Sequence, residues 1–476
     1  MCGIVGVFDR TQANPDWSRA MTARITHRGP DGDGFYDAPR LTMGMRRLSI
    51  IDVDGSDQPL YNEDQSLALV FNGEIYNYRE LQAELRARGH QLRTDGDGET
   101  ILHLYEEHGL DLFRHLRGMY AIALYDAKRE QVLLAVDHIG MKPLYLWETG
   151  GRLAFASEIK AFAGLPGFAP QLHLAALDTY LSFGYPLGAE TLFAGVRRLM
   201  PGHALLVDAQ GSRLHHYWAF ARDYAPDAPP DGAHLPADEA QIIAQAREKL
   251  REAVTLHLRS DVPLGLFLSG GIDSAAVLAL MQQGAGEAVR SYTVGFAMQT
   301  PDNELEHARR IAAHFQTQHH ERILTAAEWW SGLERYAYAH DEPNANPSAV
   351  TLLLLAEMTA QHVKVVLTGL GGDELFGGYA HHRGIPALLA RHAAWAGRPG
   401  AAQAADLLGW LERYHPAFKR YRLIGALPTY LPRLRHSLLP RAEGLRRSLS
   451  YDGMVLSDAL RRDLYGAELQ SAWQQA

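Results

Sequence analysis

Met1-Cys2-Gly3-Ile4-Val5-Gly6-Val7-Phe8 opens the chain, and its second residue is the only cysteine of the protein. If Met1 is trimmed, Cys2 carries both a thiol and a free α-amine. An α-amine has a pKa near ~8 and a thiol near ~8.5, so the amine can take the thiol proton and leave a thiolate nucleophile. A lone cysteine is otherwise a small buried hydrophobe. Its place before Gly3 and an apolar, strand-like run predicts an N-terminal nucleophile enzyme.

The bulk composition is that of a globular protein with two or three domains. The chain has 476 residues, of which 47% are hydrophobic and 21% charged, and its net charge is −9. Scattered Lys and Arg give no basic face for nucleic acid, and one cysteine excludes multi-cysteine zinc sites. The adjacent histidines His215-His216, His319-His320 and His381-His382 diverge and are expected at the surface. Without a membrane-length apolar run or a signal-peptide pattern, the sequence predicts a cytoplasmic protein with no membrane partner.

The element pattern changes along the chain. Residues 2–205 contain short strands and two helical stretches, which predicts an α+β domain of sheet and helix layers. A Pro-, Ala- and Asp-rich linker is expected within 206–237. From 238 to 476 helices and strands alternate, which predicts an α/β domain with a parallel sheet. Beyond Gly384 the chain is expected to be helical.

The second domain contains a distinctive glycine turn, Leu266-Phe267-Leu268-Ser269-Gly270-Gly271-Ile272-Asp273-Ser274. A buried strand ends there and a helix begins, so backbone N–H groups and the helix dipole can hold phosphate oxygens. Asp273 is a candidate Mg²⁺ ligand, and the hydroxyls of Ser269 and Ser274 can donate to phosphate. The lysine of the Walker pattern is missing. The pattern therefore predicts a nucleotide site of another kind, whereas a Gly-Gly turn alone is usually only a turn.

Other polar turns interrupt apolar strands. A later strand ends in Gly369-Leu370-Gly371-Gly372-Asp373, where Asp373 is a candidate second metal ligand at the ligand-binding edge of an α/β sheet. In the first domain, Arg47 can bind a carboxylate in bidentate fashion. Asn72 and Gly73 supply the two donors that an oxyanion hole needs. Each of these segments could also be an ordinary turn, and Asp95–Glu99 a helix N-cap region.

Motifs spread over residues 2–380 together resemble one family. They are Met1-Cys2-Gly3-Ile4, His27-Arg28-Gly29-Pro30-Asp31-Gly32, Arg47-Leu48-Ser49-Ile50, Phe71-Asn72-Gly73-Glu74, Gly140-Met141-Lys142-Pro143-Leu144-Tyr145, Ser157-Glu158-Ile159-Lys160 and the two glycine turns. The chain resembles the glutamine-dependent asparagine synthetases, in which a class II glutamine amidotransferase domain precedes an ATP-pyrophosphatase domain. The resemblance implies an αββα N-terminal nucleophile sandwich followed by a Rossmann-like α/β domain.

The resemblance also assigns roles. In the glutamine site Cys2 attacks the side-chain amide, Asn72 and Gly73 form the oxyanion hole, and the pocket contains Arg47 for the α-carboxylate, Asp97 for the α-amine, and Glu74. The ATP site it implies consists of Leu268, Ser269, Gly270, Gly271, Asp273, Ser274, Val294, Gly295, Gly371 and Gly372. Mg²⁺ is implied near Asp273 and Asp373. Ammonia would pass inside the protein to a carboxylate activated as an acyl-adenylate.

The sequence departs from the family pattern in the second domain. Leu370 replaces an acid, and Asp341–Ala349 replaces a Thr-x-Arg stretch associated with aspartate. The chain also ends without the expected Glu-x-Arg-x-Pro stretch or the lysine before it, which predicts a shortened synthetase domain. These departures predict slow or no asparagine formation beside normal glutamine hydrolysis.

The function expected from these motifs is ATP-dependent amidation of a carboxylate with glutamine as nitrogen donor, with aspartate as the leading acceptor. Another amino-acid or peptide carboxylate is an alternative acceptor. A glutaminase or regulatory protein with an impaired synthetase half is a second class. A sugar-phosphate aminotransferase shares the first domain but has no use for the Ser269 turn. The oligomeric state is open, with a homodimer as one option.

Overall fold

A computed structural model describes residues 1–219, 238–284, 286–298, 303–379, 382, 465–467 and 469–471. The chain divides into two compact units. The first unit comprises Met1–Gln171, Gly188–Glu342 and Pro347–Gly369, and the second comprises Leu172–Leu187, Pro343–Asn346 and Leu370–Ala476. The Pro-rich stretch 224–236 lies outside the described residues, as does the predicted helical region after Gly384 apart from residues 465–467 and 469–471.

Strands and helices are numbered in chain order. The strands are β1 (Gly3–Asp9), β2 (Gly32–Ala38), β3 (Leu41–Arg47), β4 (Leu60–Tyr61), β5 (Leu67–Ile75), β6 (Gly118–Asp126), β7 (Gln131–Val136), β8 (Tyr145–Thr149), β9 (Arg152–Ala156), β10 (Val196–Arg198), β11 (His203–Asp208), β12 (Gly211–His216), β13 (Leu264–Phe267), β14 (Arg290–Phe296), β15 (Gln318–Leu324) and β16 (Val365–Leu367). The α-helices are α1 (Pro15–Ala23), α2 (Tyr78–Ala87), α3 (Glu99–His108), α4 (Leu174–Phe183), α5 (Glu239–His257), α6 (Ile272–Gly284), α7 (Leu305–His314), α8 (Ala326–His340), α9 (Ser348–Thr359) and α10 (Gly372–Phe376), and the 3₁₀ helices are Thr26–Arg28, Gly109–Arg114 and Ile159–Gly164.

Two antiparallel sheets form the first half of the chain. Their strand orders are β10-β8-β9-β1-β3-β2 and β12-β11-β7-β6-β5-β4. Because side chains alternate between the faces of a strand, each sheet has an inner and an outer apolar face. Ile4 and Phe8 of β1 pack with Val70 of β5 in the layer between the sheets. The helices cover the outer faces, where Val5 packs with Met21 of α1 and Leu69 packs with the residues of α2 and α3. This four-layer arrangement confirms the predicted αββα sandwich.

The second sheet extends beyond the predicted domain boundary at residue 205. Strand β11 runs through that boundary and pairs with β12 as far as His216. Leu205 and Val207 are buried in the layer between the two sheets, so the sandwich needs both strands. The linker predicted over 206–237 therefore begins too early, and its residues 220–237 lie outside the described residues.

A parallel sheet with the order β15-β14-β13-β16 follows. Apolar residues on one side of it pack with α5, α6 and α7 through Val254, Leu278 and Ala308. On the other side, Leu324 packs with Tyr336 of α8 and residues of α9. Parallel strands alternating with helices confirm the predicted α/β class. Within the described part of the chain, no helix has the length and apolar content needed to cross a membrane.

Candidate active site

Four of the predicted glutamine-site side chains lie where the inner faces of the two sheets meet. Alternation along the strands places Cys2 in line with Ile4, Arg47 with Met45, and Asn72 and Glu74 with Val70. Ile4, Met45 and Val70 belong to the core between the sheets, and Cys2 packs against that core. Strand pairing sets Gly3 opposite Arg46, so Cys2 and Arg47 share one end of the layer. The fold thus brings distant motifs together.

The Cys2 thiol is held by the backbone of Leu48. Its sulfur accepts a hydrogen bond from the Leu48 N–H at 3.3 Å, and its Sγ lies 3.6 Å from the Leu48 carbonyl oxygen. The carbonyl of Cys2 accepts a hydrogen bond from Arg28 Nε at 2.8 Å. Burial raises the pKa of the thiol, and the Leu48 N–H only partly offsets it. The thiol is therefore protonated at neutral pH and needs a base to become a nucleophile.

A terminal amine in this environment can be that base once Met1 is removed and the amine belongs to Cys2. Burial, with the nearby positive charges of Arg28 and Lys142, lowers the pKa of the Met1 α-amine to about 6. An amine with that pKa is mostly neutral at pH 7 and has a lone pair available for a proton. The positive charge of the protonated amine also acts on the Cys2 thiol and lowers the pKa of that thiol. The chain start therefore combines a buried thiol with a neutral amine.

Asn72 presents an unsatisfied donor. Its side chain is 1% exposed, and its Nδ2 makes no hydrogen bond to the described residues. A buried donor without a partner costs about 1–3 kcal/mol, so such groups usually have a function. The N–H groups of Phe71 and Ile75 point away from β6, since they bond to Gln58 and Asp97 at 2.7 Å each. Because N–H direction alternates along a strand, the intervening N–H of Gly73 points to the same edge.

Gly73 itself is required by close packing. A Cβ at this position would lie 2.2 Å from the carbonyl oxygen of Met119 on the paired strand β6. Any side chain would therefore push β5 and β6 apart and move the neighbouring Asn72.

Two carboxyl groups, the buried Asp97 and the partly exposed Glu74, line the same region. Asp97 Oδ2 accepts the Ile75 N–H, and burial raises the pKa of Asp97 although backbone N–H groups and Arg47 oppose the shift. Burial and the charge of Asp97 raise the pKa of Glu74 well above its usual range. Such a pair is stabilised by a cation placed between its members. The α-ammonium group of an amino acid is a cation of this kind.

Arg47 has contacts that sequence reasoning missed. Its Nη1 donates to the carbonyl of Val53 and to Asp57, both at 2.8 Å, and its Nη2 donates to the carbonyl of Asp52 at 2.7 Å. Three of the five guanidinium N–H groups thus hold the 52–57 turn. Arg47 therefore orders the wall of the pocket in addition to any contact with a substrate carboxylate.

Sequence reasoning also missed Lys142 as a site residue. Its side chain is 6% exposed, its Nζ lies 2.9 Å from Met1 Sδ, and burial together with Arg28 lowers its pKa. Lysine is rarely buried without a partner, so a buried lysine marks a candidate site residue. The motif Gly140–Tyr145 does not by itself show that Lys142 is buried.

A charged network links the Cys2 site to the second half of the chain. Arg28, which holds the Cys2 carbonyl, donates to Glu158 at 2.8 Å. Lys160 contacts the same carboxylate and lies 3.0 Å from Asp341, in the segment predicted to face the acceptor. The next residue, Glu342, is buried and accepts from Arg198 at 2.8 Å. The first two residues of this segment, Asp341 and Glu342, are thus held by ion pairs.

The Ser269 turn lies at the carboxyl end of β13. Ser269 and Ser274 hydroxyl oxygens are 2.9 Å apart, and the Ser274 hydroxyl accepts the Ser269 N–H at 3.2 Å. The Gly270 N–H donates to a carboxylate oxygen of Glu304 at 3.1 Å. Leu268 is buried just before the turn, and the N–H of Gly271 donates to the Ser269 hydroxyl at 3.1 Å. The turn is therefore ordered by its own hydroxyls, and one of its N–H groups faces an anionic oxygen.

Neighbouring strand ends approach this turn. A Cβ on Gly369, after β16, would lie 2.6 Å from Ser274 N. Val294 and Gly295 belong to β14, which pairs with β13 in parallel. Asp273 is partly exposed in the first turn of α6. The first unit thus gathers Ser269, Asp273, Val294 and Gly295 at one edge of the sheet.

The second glycine turn belongs to the second compact unit. Gly371 adopts a φ of +102°, and its N–H donates to Glu374 at 3.0 Å. Gly372 and Asp373 begin the short helix α10, and the Asp373 carbonyl accepts the Gly378 N–H at 3.0 Å. Leu370 is 87% exposed. The pairing of Asp373 with Asp273 at a metal stays a prediction.

Comparisons with known proteins match both halves. Residues 1–218 match the glutamine amidotransferase domain, and residues 245–459 match asparagine synthase. A probable glutamine-hydrolysing asparagine synthetase of Dictyostelium discoideum is 31% identical over 434 residues, which are 86% of this chain and 71% of that protein. The chain belongs to the glutamine-hydrolysing asparagine synthetase family. The two-domain order predicted from the motifs is that of the family.

Other members of the glutamine-hydrolysing asparagine synthetase family are longer. Asparagine synthetase 1 of Bacillus subtilis is 34% identical over 388 residues, which are 80% of this chain and 60% of that relative. The chain therefore spans about three fifths of that relative's length. Among solved structures, glutamine phosphoribosylpyrophosphate amidotransferase of B. subtilis aligns with 68% of this chain and 81% of its own, at 18% identity and a TM-score of 0.36.

Proposed function

We propose that the protein is a glutamine-dependent, ATP-consuming amidotransferase of the cytoplasm that converts a carboxylate to an amide, with aspartate as the leading acceptor. The observation that carries the proposal is that Cys2 and Asn72 lie on facing sheets at the same inner layer, and that the buried Asn72 Nδ2 makes no hydrogen bond within the described residues. Glutamine supplies the carbonyl oxygen that would complete this arrangement. Membership of the family supports the same reaction.

Removal of Met1 would leave the α-amine on Cys2 itself. The amine takes the thiol proton, and the sulfur attacks the glutamine side-chain amide to give a tetrahedral intermediate. Asn72 Nδ2 and the Gly73 N–H donate to the oxyanion. The protonated amine then gives its proton to the leaving nitrogen. Ammonia departs, and the glutamyl group remains on the Cys2 sulfur as a thioester. Water attacks the thioester and releases glutamate.

The rest of the pocket selects an amino acid. Asp97 and Glu74 are neighbouring carboxyl groups with raised pKa values that an α-ammonium would stabilise, which suits the α-amine of glutamine. Arg47 retains two guanidinium N–H groups beyond those that hold the 52–57 turn, which suits the α-carboxylate. Glutamine would thus be held at its α-carbon by opposite charges while its side chain reaches Cys2.

The edge of the parallel sheet suits a nucleotide with Mg²⁺. The Gly270 N–H already faces a carboxylate oxygen of Glu304, so it can serve a phosphate oxygen in the same position. Ser269 and Ser274 offer hydroxyls, and Asp273 offers a partly exposed carboxylate of the type that Mg²⁺ prefers. We assign the adenine side to Val294 and Gly295, and a second metal contact to Asp373. Bound Mg²⁺ would neutralise charge on the departing pyrophosphate.

A glutaminase with an impaired synthetase half remains the second candidate, because Leu370 and the segment Asp341–Ala349 differ from the family pattern. Leu370 cannot act as a base or hold an attacking amine. Losing one preorganised charge costs on the order of 3–4 kcal/mol of transition-state stabilisation, a factor of 10²–10³. We therefore expect slow asparagine formation beside normal glutamine hydrolysis.

The deciding experiment measures glutamate, pyrophosphate and AMP in the same reaction while carboxylates are varied. Pyrophosphate released in step with glutamate, for aspartate or another carboxylate, supports the amidotransferase. If glutamate forms without pyrophosphate for every carboxylate tested, the amidotransferase proposal is wrong and the protein is a glutaminase. Asparagine formation from aspartate as fast as glutamine hydrolysis would show that Leu370 is not a defect.

A further inference from the structure

A cluster of two histidines and two glutamates lies away from the Cys2 pocket, on the helix-covered side of the sandwich. Glu63 follows β4, His90 follows α2, and His103 and Glu106 share one face of α3. One ligating atom from each side chain can be chosen so that all four atoms lie within 4.8 Å of one another. Neither the glutamine pocket nor the nucleotide turn uses these residues.

Each imidazole Nδ1 faces both carboxylates, with His90 nearer to Oε1 of Glu63 and His103 nearer to its Oε2. His90 Nδ1 lies 3.4 Å from Glu63 and 3.8 Å from Glu106. His103 Nδ1 lies 3.5 Å from Glu63 and 3.0 Å from Glu106. Four ligands at about 2.0–2.1 Å from a zinc ion would be about 3.3 Å apart. The four nitrogen–oxygen separations differ from this spacing by at most about half an ångström, so small side-chain shifts would bring the four groups around an ion.

Outer contacts orient both imidazole rings. His90 Nε2 lies 3.2 Å from Glu107, and His103 Nε2 lies 3.6 Å from the buried carboxylate of Glu99. His103 is fully buried, and its Nε2 makes no hydrogen bond within the described residues. In zinc sites the second ring nitrogen typically faces a carboxylate in this way, which fixes the Nδ1 lone pair toward the metal.

The carboxylate ligands are held as well. Glu63 accepts the Gln91 N–H at 3.0 Å, and Glu106 accepts the Asn62 side-chain amide at 2.9 Å. Glu99 is fixed by the N–H groups of Arg93 and Thr94. Both carboxylate ligands are thus held in place by neighbouring N–H donors.

We propose that Glu63, His90, His103 and Glu106 bind one Zn²⁺ ion in a structural, four-coordinate site. Two imidazoles and two carboxylates form a ligand set that zinc accepts, and four protein ligands leave no open position for catalysis. The ion ties the β4–β5 turn and the end of α2 to α3. The loop between His90 and Glu99, which carries Asp97, is then fixed at both ends.

The test measures metal binding directly. Tag-free protein is stripped with EDTA and titrated with Zn²⁺ against a chromophoric chelator, and bound metal is counted by mass spectrometry. We expect one ion per chain with submicromolar affinity, and a tetrahedral visible spectrum when Co²⁺ replaces Zn²⁺. Saturating Zn²⁺ should raise the thermal midpoint, since a ligand that binds the folded state stabilises it.

Variants locate the ion. Glu63→Gln and His90→Gln change partly exposed ligands and should each weaken Zn²⁺ binding by at least ~100-fold. His216→Gln is the matched control, because the His216 ring lies 4.1 Å from the ring of His203, much as the His90 ring lies 4.7 Å from that of His103, but His216 is outside the cluster. Cys2→Ser should keep the ion, which excludes the thiol as a ligand.

Wild-type protein that binds no Zn²⁺ at micromolar concentration would overturn the proposal and leave an ion-pair network of protonated histidines and glutamates. Full affinity in both ligand variants, or an octahedral Co²⁺ spectrum, would also overturn it. The wild-type titration decides the question even if a variant folds poorly.

Discussion

The glutamine pocket and the nucleotide turn are built in opposite ways. The pocket lies between two sheets, where Cys2, Asn72 and Asp97 are enclosed by the side chains around them. The turn lies at the open edge of one parallel sheet, where Asp273 is partly exposed and Ser269 is exposed. Enclosure produces shifted pKa values and an unsatisfied donor in the pocket. The first site is thus preorganised by burial, whereas the second depends on backbone N–H groups and on the bound nucleotide.

The largest expected effect tests the enclosed site. Cys2→Ala removes the nucleophile, so glutamine hydrolysis should fall by at least ~10⁴-fold. Ammonia-dependent amide formation, measured as pyrophosphate release with ammonium chloride, should be unchanged because the thiol serves only glutamine. A protein that retains Met1 should behave like the variant, since the nitrogen of Cys2 is then an amide and cannot take the thiol proton. Glutaminase activity that survives in Cys2→Ala would contradict the proposed nucleophile.

The next prediction tests the open site. Asp273→Asn removes a proposed Mg²⁺ ligand and should lower nucleotide-dependent pyrophosphate release by ~10³-fold. Glutamine hydrolysis should stay at the wild-type rate, because the two sites share no side chain. Asp238→Asn, at the N-cap of α5, is a control that changes the same charge away from the turn. Equal turnover and equal Mg-ATP affinity in Asp273→Asn and wild type would mean that the Ser269 sequence is only a turn.

A third prediction separates substrate binding from chemistry in the enclosed site. Asn72→Ala removes a donor that acts on charge developed in the transition state, so kcat for glutamine should fall by ~10²–10³-fold with little change in KM. Asn77→Ala is the matched control in the same segment, because Asn77 donates to the carbonyl of His115 and supports a turn. A KM effect without a kcat effect in Asn72→Ala would reassign this residue to substrate binding.

Much of the enclosed site was predictable because strand periodicity and local motifs determine it. Cys2 and Asn72 alternate with apolar residues of β1 and β5, so their shared layer follows from the sequence once both strands face one core. Strand β15 was missed because Gln318-His319-His320-Glu321 is polar and lies in a partly exposed strand. The Glu63 cluster was missed because its four residues come from three elements that only the tertiary fold brings together.

The smallest expected effect concerns the charged network that joins the two halves. Glu158 sits between Arg28, His27 and Lys160. Burial alone would raise the pKa of Glu158, but the hydrogen bonds from His27 and Lys160 and the charge of Arg28 more than offset it and lower the pKa to about 2. A carboxyl group with a depressed folded pKa stabilises the fold above its unfolded pKa, and that stabilisation is lost as the pH falls toward 2.

Glu158→Gln should therefore lower the urea midpoint at pH 6 and narrow the difference between the midpoints at pH 6 and pH 3. The charge of Glu158 contributes at most about 3 kcal/mol to the free energy of unfolding, because the pKa of this carboxyl group is roughly two pH units lower in the folded state. Glu148→Gln is the control, since Glu148 pairs with Arg197 at the exposed surface and such pairs contribute little. The network also holds the Cys2 carbonyl through Arg28, so the variant should lower kcat for glutamine by a few-fold. An unchanged pH response in Glu158→Gln would show that its neighbours, and not this carboxylate, determine the acid stability of the first unit.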